Sequence, residues 1–479
     1  MGQTGAMRTI EDHRREVTAL VGTISAGTEV LTVSGEAMAS DPSAYAHRVL
    51  AADVVAMSSL PAFDNSQMDG YAVLAADLAG AARDAAAHPR DGGGSGSGGS
   101  AGRGSGPVTL PVAARVAAGD PFATHLPGTA TPVMTGAPIP VGADAVVQIE
   151  RADPPVFPAE GGEASVTFTA PVEPGTFVRA AGSDVSRGER LLAAGTVLGP
   201  AHYGVIAGTG DTSVSVRRRP VVLLVSTGHE IREPGTTLAP GQIFDANTAA
   251  LTAALTPIGV VVRPAPCRSD DAADLLALLE RECGGERDRA GDRNADLAID
   301  SDGNGDSLTA ADRTSEHPID LVVTVGGVSA GAREVVRDAL EPLGVEFMKV
   351  AMQPGGPQGF GLARLGDAEL PVVCLPGNPV SALVSFEAFL RPALLSALGI
   401  ADPLRERRRG RAAHPFDSPA THHQLRRGIV RPDGSLELIG GPSSHLLHSY
   451  ANSTVLVHVP VGVTAVAEGD ELDYWRIDG

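Results

Sequence analysis

Lysine is nearly absent from this chain: of 37 lysine and arginine residues, only Lys349 is a lysine. In a sequence rich in Ala, Gly and Arg this reads either as a coding bias or as a position that needs a compact ammonium which a planar guanidinium cannot replace. Cysteine is scarce too. Cys267, Cys283 and Cys374 are scattered and odd in number, which excludes a disulfide framework and a cysteine zinc site and predicts a reducing, cytoplasmic setting. No stretch approaches the roughly 18 apolar residues of a membrane helix, so no membrane association is expected. The opening residues, MGQTGAMRTIEDHRRE, turn polar at once and carry no secretory signal; Met1-Gly2 is followed by Ala6 where a myristoylation site has Ser or Thr. Excess positive charge is also lacking. A net charge of −20 disfavours nucleic acid as a partner, because neutralising phosphates needs clustered cations.

What is present is length, alternation and glycine. The 479 residues allow two to four domains. Residues 84–106 contain DGGGSGSGGSAGRGSG, a flexible-linker composition, and residues 284–317 form a second polar insert dense in Asp, Arg and Gly. Within the second, DSDGNGD lacks the closing Glu of a calcium loop and reads as solvated chain. Residues 8–22 have a helical pattern. Residues 43–215 hold short strand-like segments such as VTLPVAARV, DAVVQIE, SVTFTAPV and TSVSVRR, broken by Pro and Gly. From Pro220 strand and helix take turns: VVLLVS, a helix capped by Asn247, VVVRPAP, the helix of DDAADLLALLERE, DLVVTV, a helix after Ala330, VEFMKVAM, ELPVVCL, and the helix of VSALVSFEAFL. That alternation predicts a parallel α/β sheet. Beyond about residue 402, STVLVHVP and ELDYW suggest a small C-terminal β domain.

Ligands of open α/β sheets bind at the carboxyl ends of the strands. Three such ends stand out. STGHE (226–230) ends a strand in hydroxyls, Gly and Glu. VTVGGVSAG places Gly326 and Gly327 between the strand Leu321–Val325 and the next helix. LPGNPVSA places Asn378 to cap a helix and Pro379 at its first position. Each is also compatible with an ordinary βα turn. Together they predict a pocket for an anionic, phosphate-bearing ligand held by backbone N–H groups and helix starts.

The motifs PAFDNSQMDGYAV (61–73), VMTGAPIPVGADAVVQIE (133–150), VRAAGSDVSRGE (178–189), VSTGHE, GQIFDANTAAL, GGVSAG and LPGNPVSA, in this order, resemble the molybdopterin molybdenumtransferases, the MoeA family, to which the E domain of gephyrin also belongs. The resemblance covers nearly the whole chain outside the two inserts. It implies a multidomain α/β plus β protein and an elongated homodimer. Residues 8–42 with 185–216 would form a helix-containing dimerisation domain, 43–184 a β-rich domain, 217–400 the α/β pterin-binding domain, and 401–479 a C-terminal β-barrel-like domain. It further implies that molybdate is inserted into adenylylated molybdopterin with Mg²⁺ and release of AMP, and that other proteins of molybdenum-cofactor biosynthesis are partners.

The site residues carried over are Asp69, Thr135, Asp184, Glu230, Glu334 and Lys349 for catalysis. Asp69, Glu230, Asp270 and Glu334 would hold the metal. Ser226, Thr227, Gly228, Gly326, Gly327, Ser329, Pro376, Gly377, Asn378, Pro379, Arg427 and Ser444 would bind substrate. Asp270 could equally cap the helix of DDAADLL, and Arg426 competes with Arg427. Four positions depart from the family pattern: His229 and Glu334 replace Asp, and Gln353 and Gly356 replace Lys. Losing two ammonium contacts to a dianion, at roughly 1.5–3 kcal/mol each, would cost about two to four decades of rate or affinity. Two functions therefore fit: a transferase, or a pterin-binding paralogue that inserts metal poorly and acts as carrier or scaffold. Hydrolysis of another nucleotide-linked substrate is required by nothing in the sequence.

Overall fold

The structure, a computed structural model, describes residues 7–24, 27–79, 106–159, 163–283, 318–329, 334–366 and 368–478. The insert at 84–106 (apart from Gly106) and the insert at 284–317 lie outside the described residues. The chain divides into two compact units. Unit 1 comprises residues 1–52, 193–200 and 213–479; unit 2 comprises residues 53–192 and 201–212.

Unit 1 is built on a six-stranded sheet. Its elements are α1 (Ile10–Val21), β1 (Val221–Ser226), α2 (Ala246–Leu255), β2 (Val261–Pro264), α3 (Ala272–Cys283), β3 (Leu321–Val325), α4 (Val335–Leu340), β4 (Glu346–Lys349), β5 (Met352–Gln353), β6 (Pro357–Leu365), β7 (Ala368–Leu375), α5 (Pro379–Ser385) and α6 (Arg391–Ala397). The strand order is β2-β1-β3-β7-β6-β4. The first four strands run parallel, as the alternation predicts, and β6 and β4 are added antiparallel. Every residue of β1 and β3 is buried. Successive side chains go to opposite faces. Val222, Leu224, Leu321 and Val323 enter a core with α1, α2, α5 and α6, while Val221, Leu223 and Val322 face α3 and α4. Covered on both faces, these strands must read as continuous apolar runs.

The structure adds one strand to the expected alternation and corrects three expectations. The added strand is β6, whose PQGFGLARL carries two glycines within the strand. Its glycines are there for close approach: a Cβ on Gly361 would lie 2.7 Å from the Gly344 carbonyl oxygen. VEFMKVAM is not one strand but two, since Val350 N–H turns back to donate to Gly356 O (2.8 Å) and β5 leaves the sheet. Helix α2 is capped by Asp245, whose carboxylate accepts from Thr248 N–H (3.0 Å), and not by Asn247. The segment Pro379–Ala397, a 19-residue helical run with a π-helical turn at Phe386–Leu390, is long and apolar enough to cross a membrane by length and composition alone. Its apolar window is 72% buried, with Val380, Val384, Phe389 and Leu394 in the core of the α/β sheet.

Helix α1 starts at Thr9, whose hydroxyl accepts from Asp12 N–H. It buries Ile10, Val17 and Val21 in the same core as β1 and β3, so the N-terminal helix packs with the α/β sheet. Strand Thr28–Thr32 pairs with Ser213–Arg217. The C-terminal part of unit 1 is a closed five-stranded barrel of β8 (Arg408–Ala412), β9 (His423–Val430), β10 (Ser435–Leu438), β11 (Val455–Val459) and β12 (Glu471–Arg476). The order β9-β10-β8-β12-β11 is closed by pairing of β11 with β9, and β5 docks parallel to β9.

Unit 2 is β-rich. One antiparallel sheet has Gly70–Val73 between Thr131–Val133 and Ala145–Gln148; another joins Val108–Pro111, Ser165–Phe168 and Ala152–Asp153. Tyr71 and Phe168 meet edge to face at 5.9 Å in its core.

Candidate functional site

The carboxyl ends of β1, β3 and β7 touch. Thr227 N–H donates to Val325 O (3.1 Å) and Gly326 N–H to Leu375 O (3.1 Å), so the ladder continues past the last strand residues. Gly326 has φ +104°, and a Cβ there would sit 2.9 Å from Thr227 Oγ1. A Cβ on Gly377 would sit 3.0 Å from Gly326 Cα. The two glycines thus let three strand tips close on one another. Asn247, freed from capping, donates from Nδ2 to Gly377 O (2.7 Å) and ties α2 to the same place. Asn378 does cap α5, accepting from Val380 N–H (3.1 Å), with Pro379 at the first helical position. Gly326 N–H is engaged within the ladder. Among the described residues, the N–H groups of Gly327 and Gly377 have no hydrogen-bond partner.

An acidic group flanks the tip of β1. His229 N–H donates to Asp270 Oδ1 (3.1 Å), and His229 Nδ1 lies 2.5 Å from Asp270 Oδ2 and 3.8 Å from Glu230 Oε2. Asp270 is free to make these contacts because the start of α3 is served by its neighbour: Asp271 Oδ1 accepts from Ala273 N–H (2.9 Å). His229, Glu230 and Asp270 bring one potential ligand atom each within 4.8 Å of one another. Mg²⁺ takes oxygen ligands, so the two carboxylates suit it and the imidazole is the less suitable third member. Glu334 is not part of this group; its Oε2 accepts from Ser329 N–H (3.0 Å) just before α4.

Beneath the tips is a network that the sequence reading passed over. The buried Asp245 carboxylate accepts from Ser226 Oγ (2.6 Å), Thr248 Oγ1 (2.8 Å) and Arg268 Nη1 (3.2 Å). Burial pulls its pKa upward, but the hydrogen bonds from Ser226, Thr248 and Arg268 outweigh that and leave it below the ordinary carboxylate value. The sequence signal was the Asp of GQIFDAN, three residues before Thr248, which is capping spacing.

Lys349 is exposed at the end of β4 and pairs with Pro357 across the antiparallel β6. Because β6 reverses direction twice relative to its neighbours, β4 ends on the same edge of the sheet as β1, β3 and β7. The usual strand spacing puts it about 10 Å along that edge from β7 and about 14 Å from β3. Its ammonium has no ion-pair partner among the described residues. Beyond it, Gln353 Oε1 accepts from Gln424 Nε2 of the barrel (2.8 Å). A Cβ on Gly356 would approach Val350 O to 3.3 Å. Arg427 is buried, donating from Nη1 to Ser443 O (2.9 Å) and from Nη2 to Gly441 O, so it fastens the loop that carries the half-buried Ser444.

In unit 2, Asp69 Oδ1 accepts from both Thr135 N–H (2.7 Å) and Thr135 Oγ1 (2.8 Å). These two bonds, the backbone one first, hold the Asp69 carboxyl below its ordinary pKa while the residue stays exposed. Gly70 beside it admits no side chain, since a Cβ would collide with the Val147 carbonyl. Asp184 is exposed in the turn where its own N–H donates to Leu60 O (3.0 Å).

Three family profiles match the chain: the "MoeA N-terminal region (domain I and II)" over residues 8–210, the "Probable molybdopterin binding domain" over 298–396, and the "MoeA C-terminal region (domain IV)" over 409–477. Molybdopterin molybdenumtransferase 2 of Mycobacterium tuberculosis is 38% identical over 480 residues, covering 98% of this chain and all of that protein. Molybdopterin molybdenumtransferase of Haemophilus influenzae is 30% identical, covering 86% of this chain and 87% of its own length. The crystal structure of a molybdopterin biosynthesis MoeA protein from Pyrococcus horikoshii superposes with a TM-score of 0.70 at 26% identity, over 99% of this chain and all of that one.

Proposed function

The chain belongs to the MoeA family of molybdopterin molybdenumtransferases, and from that premise we propose that it completes the molybdenum cofactor, accepting adenylylated molybdopterin and molybdate and releasing AMP. The observation that carries the site assignment is the closure of three strand tips at Thr227, Gly326 and Gly377, with unpartnered N–H groups beside them and Lys349 on the same edge. In this reading the Gly327 and Gly377 amides orient phosphate oxygens, as turn amides at helix starts do. Lys349 supplies a point charge to a tetrahedral oxyanion. Glu230 and Asp270 would hold Mg²⁺, which when bound neutralises charge developing on the phosphoanhydride as its P–O bond breaks. Asp69, kept ionised by its two hydrogen bonds from Thr135, is assigned as a catalytic carboxylate on the family resemblance. We assign the working form as a homodimer and the setting as the cytoplasm, the latter supported by three free cysteines.

The test is to mix the purified chain with adenylylated molybdopterin, Mg²⁺ and molybdate and follow AMP release and metal incorporation. The expected result is turnover that drops about a hundredfold or more in Asp69→Asn, the scale of a lost catalytic carboxylate. Binding of the pterin without AMP release would reject the transferase reading and leave a carrier.

A further inference from the structure

Glu230 and Asp270 stand on different segments, one after β1 and the other after β2. Like charges repel, so bringing both carboxylates to one place needs a constraint from outside the pair. At the near ends the backbone supplies it: Cys267 N–H donates to Ser226 O (2.8 Å) and Gly228 N–H to Cys267 O (3.2 Å). At the site itself His229 N–H orients Asp270. Gly228 leaves room for the Glu230 carboxylate to fold back, since a Cβ there would lie 2.5 Å from Glu230 Oε2.

Behind the site the constraint is Arg268. Its Nη1 and Nη2 both reach Asp245 Oδ2 (3.2 and 3.3 Å), and Nη2 also donates to Glu233 Oε1 (3.0 Å). One guanidinium thus ties the segment that carries Asp270 to the segment that carries Glu230. Asp245 completes the frame: its N–H donates to Arg232 O (2.9 Å), while Ile243 N–H donates to Glu230 O (3.0 Å). The frame is anchored in the fold, because the buried Asp245 carboxylate also holds Ser226 at the end of β1 and Thr248 at the start of α2. Arg218 shows the contrast: it forks across both oxygens of one partner, Asp320, whereas Arg268 divides itself between two segments.

We propose that Arg268 and Asp245 are a positioning pair that holds Glu230 and Asp270 at the separation a divalent cation requires. The proposal rests on the reading of those two carboxylates as the ligands of Mg²⁺. Neither member of the pair touches the ion; both act by fixing the segments on which the ligands stand, as the hydrogen-bonded partners of metal ligands do in general.

The experiment is titration of the full chain with Mn²⁺ as the probe for Mg²⁺, followed by the EPR signal of the free ion, with Tm recorded for every variant. The wild type takes up Mn²⁺ at a site that Asp270→Asn removes. Arg268→Met and Asp245→Asn each weaken that site by about ten- to a hundredfold, the usual cost of losing a partner behind a metal ligand. Asp245→Asn keeps the α2 cap, since Asn caps as well as Asp. The double variant binds no more weakly than the worse single one, because the two residues act as one unit. Arg268→Lys, which keeps the charge without the fork, recovers part of the affinity. Arg218→Met breaks a buried ion pair elsewhere in unit 1 and lowers Tm but leaves Mn²⁺ affinity unchanged, which separates positioning from general loosening. Without metal, the amides of Gly228, Ile243 and Asp245 exchange hydrogen faster in Arg268→Met than in the wild type. Should Arg268→Met not fold, Arg268→Gln is read in the same way. Mn²⁺ uptake that Asp270→Asn abolishes and Arg268→Met spares, or a loss that Arg218→Met matches, overturns the positioning pair alone. Uptake that Asp270→Asn does not change overturns the ligand assignment, and the pair with it.

Discussion

Replacing Gly326 by alanine tests the closure of the strand tips directly. The new Cβ would lie 2.9 Å from Thr227 Oγ1 and 3.1 Å from the Thr227 carbonyl oxygen, and the backbone at φ +104° is outside the region an L-residue accepts easily. Backbone strain of this kind costs about 1–3 kcal/mol. Forcing a methyl into filled space costs about 1–3 kcal/mol more. The expected destabilisation is therefore about 2–6 kcal/mol, read by urea denaturation. A double-mutant cycle separates the parts. Thr227→Ala removes the nearer obstacle at the loss of one hydroxyl bond to Val325 O (3.3 Å), but it cannot relieve the carbonyl contact or the dihedral. The double variant should recover about 1 kcal/mol relative to additivity, a coupling typical of touching residues. AMP release should fall in Gly326→Ala even where the protein remains folded, because the tips would have parted. A Gly326→Ala protein within about 0.5 kcal/mol of wild type, the scale of a neutral surface change, or strictly additive variants, would refute the idea that β1, β3 and β7 close on one another there.

Two further outcomes follow from the same structure. His13 is buried in the α1 interface between Phe360 and Phe389, with Nδ1 unpartnered; burial, aided by Arg8, pushes its pKa from 6.5 down to about 3. Protonation then favours the unfolded chain, so stability is complete above about pH 6.5 and declines as pH falls towards 3, by up to about 4–5 kcal/mol; a Tm–pH profile that is no flatter in His13→Leu would contradict this. His229→Asp exchanges the imidazole for a third carboxylate beside Glu230 and Asp270, so Mg²⁺ should raise its Tm more than that of the wild type, with affinity up by about tenfold; an unchanged Mg²⁺ titration would show that this group does not hold the ion.

Some of the architecture could be read in advance because it depends on local pattern. LVVTV and VVLLVS are buried on both faces, so period and apolarity coincide, and β3 and β1 fall where the sequence puts them. Asn378-Pro379 carries its own capping chemistry. Other features were ambiguous at the level of residue type. Asp270 and Asp271 are adjacent and equally able to cap; only the position of His229 decides that one binds the imidazole and the other begins the helix. Asp245 and Asn247 differ in the same way, because the neighbouring Gly377 carbonyl draws Asn247 away. Strand β6 was hidden by its glycines, which look like loop formers until Phe347 and Gly344 are seen to fill the space a side chain would need.

The amino-acid order alone determined the α/β alternation, the glycine and proline punctuation, and the motifs by which the family is recognised, because these rest on backbone preference and periodicity between near neighbours. The fold decided which of many exposed and buried polar groups meet: that three strand tips touch, that Lys349 ends on their edge, and that Arg426 is buried with Gln424 as its hydrogen-bond acceptor. The strand-tip contacts join residues far apart in the chain, and the burial of Arg426 depends on the whole barrel; the free energies of both depend on distance and desolvation, which no local pattern encodes.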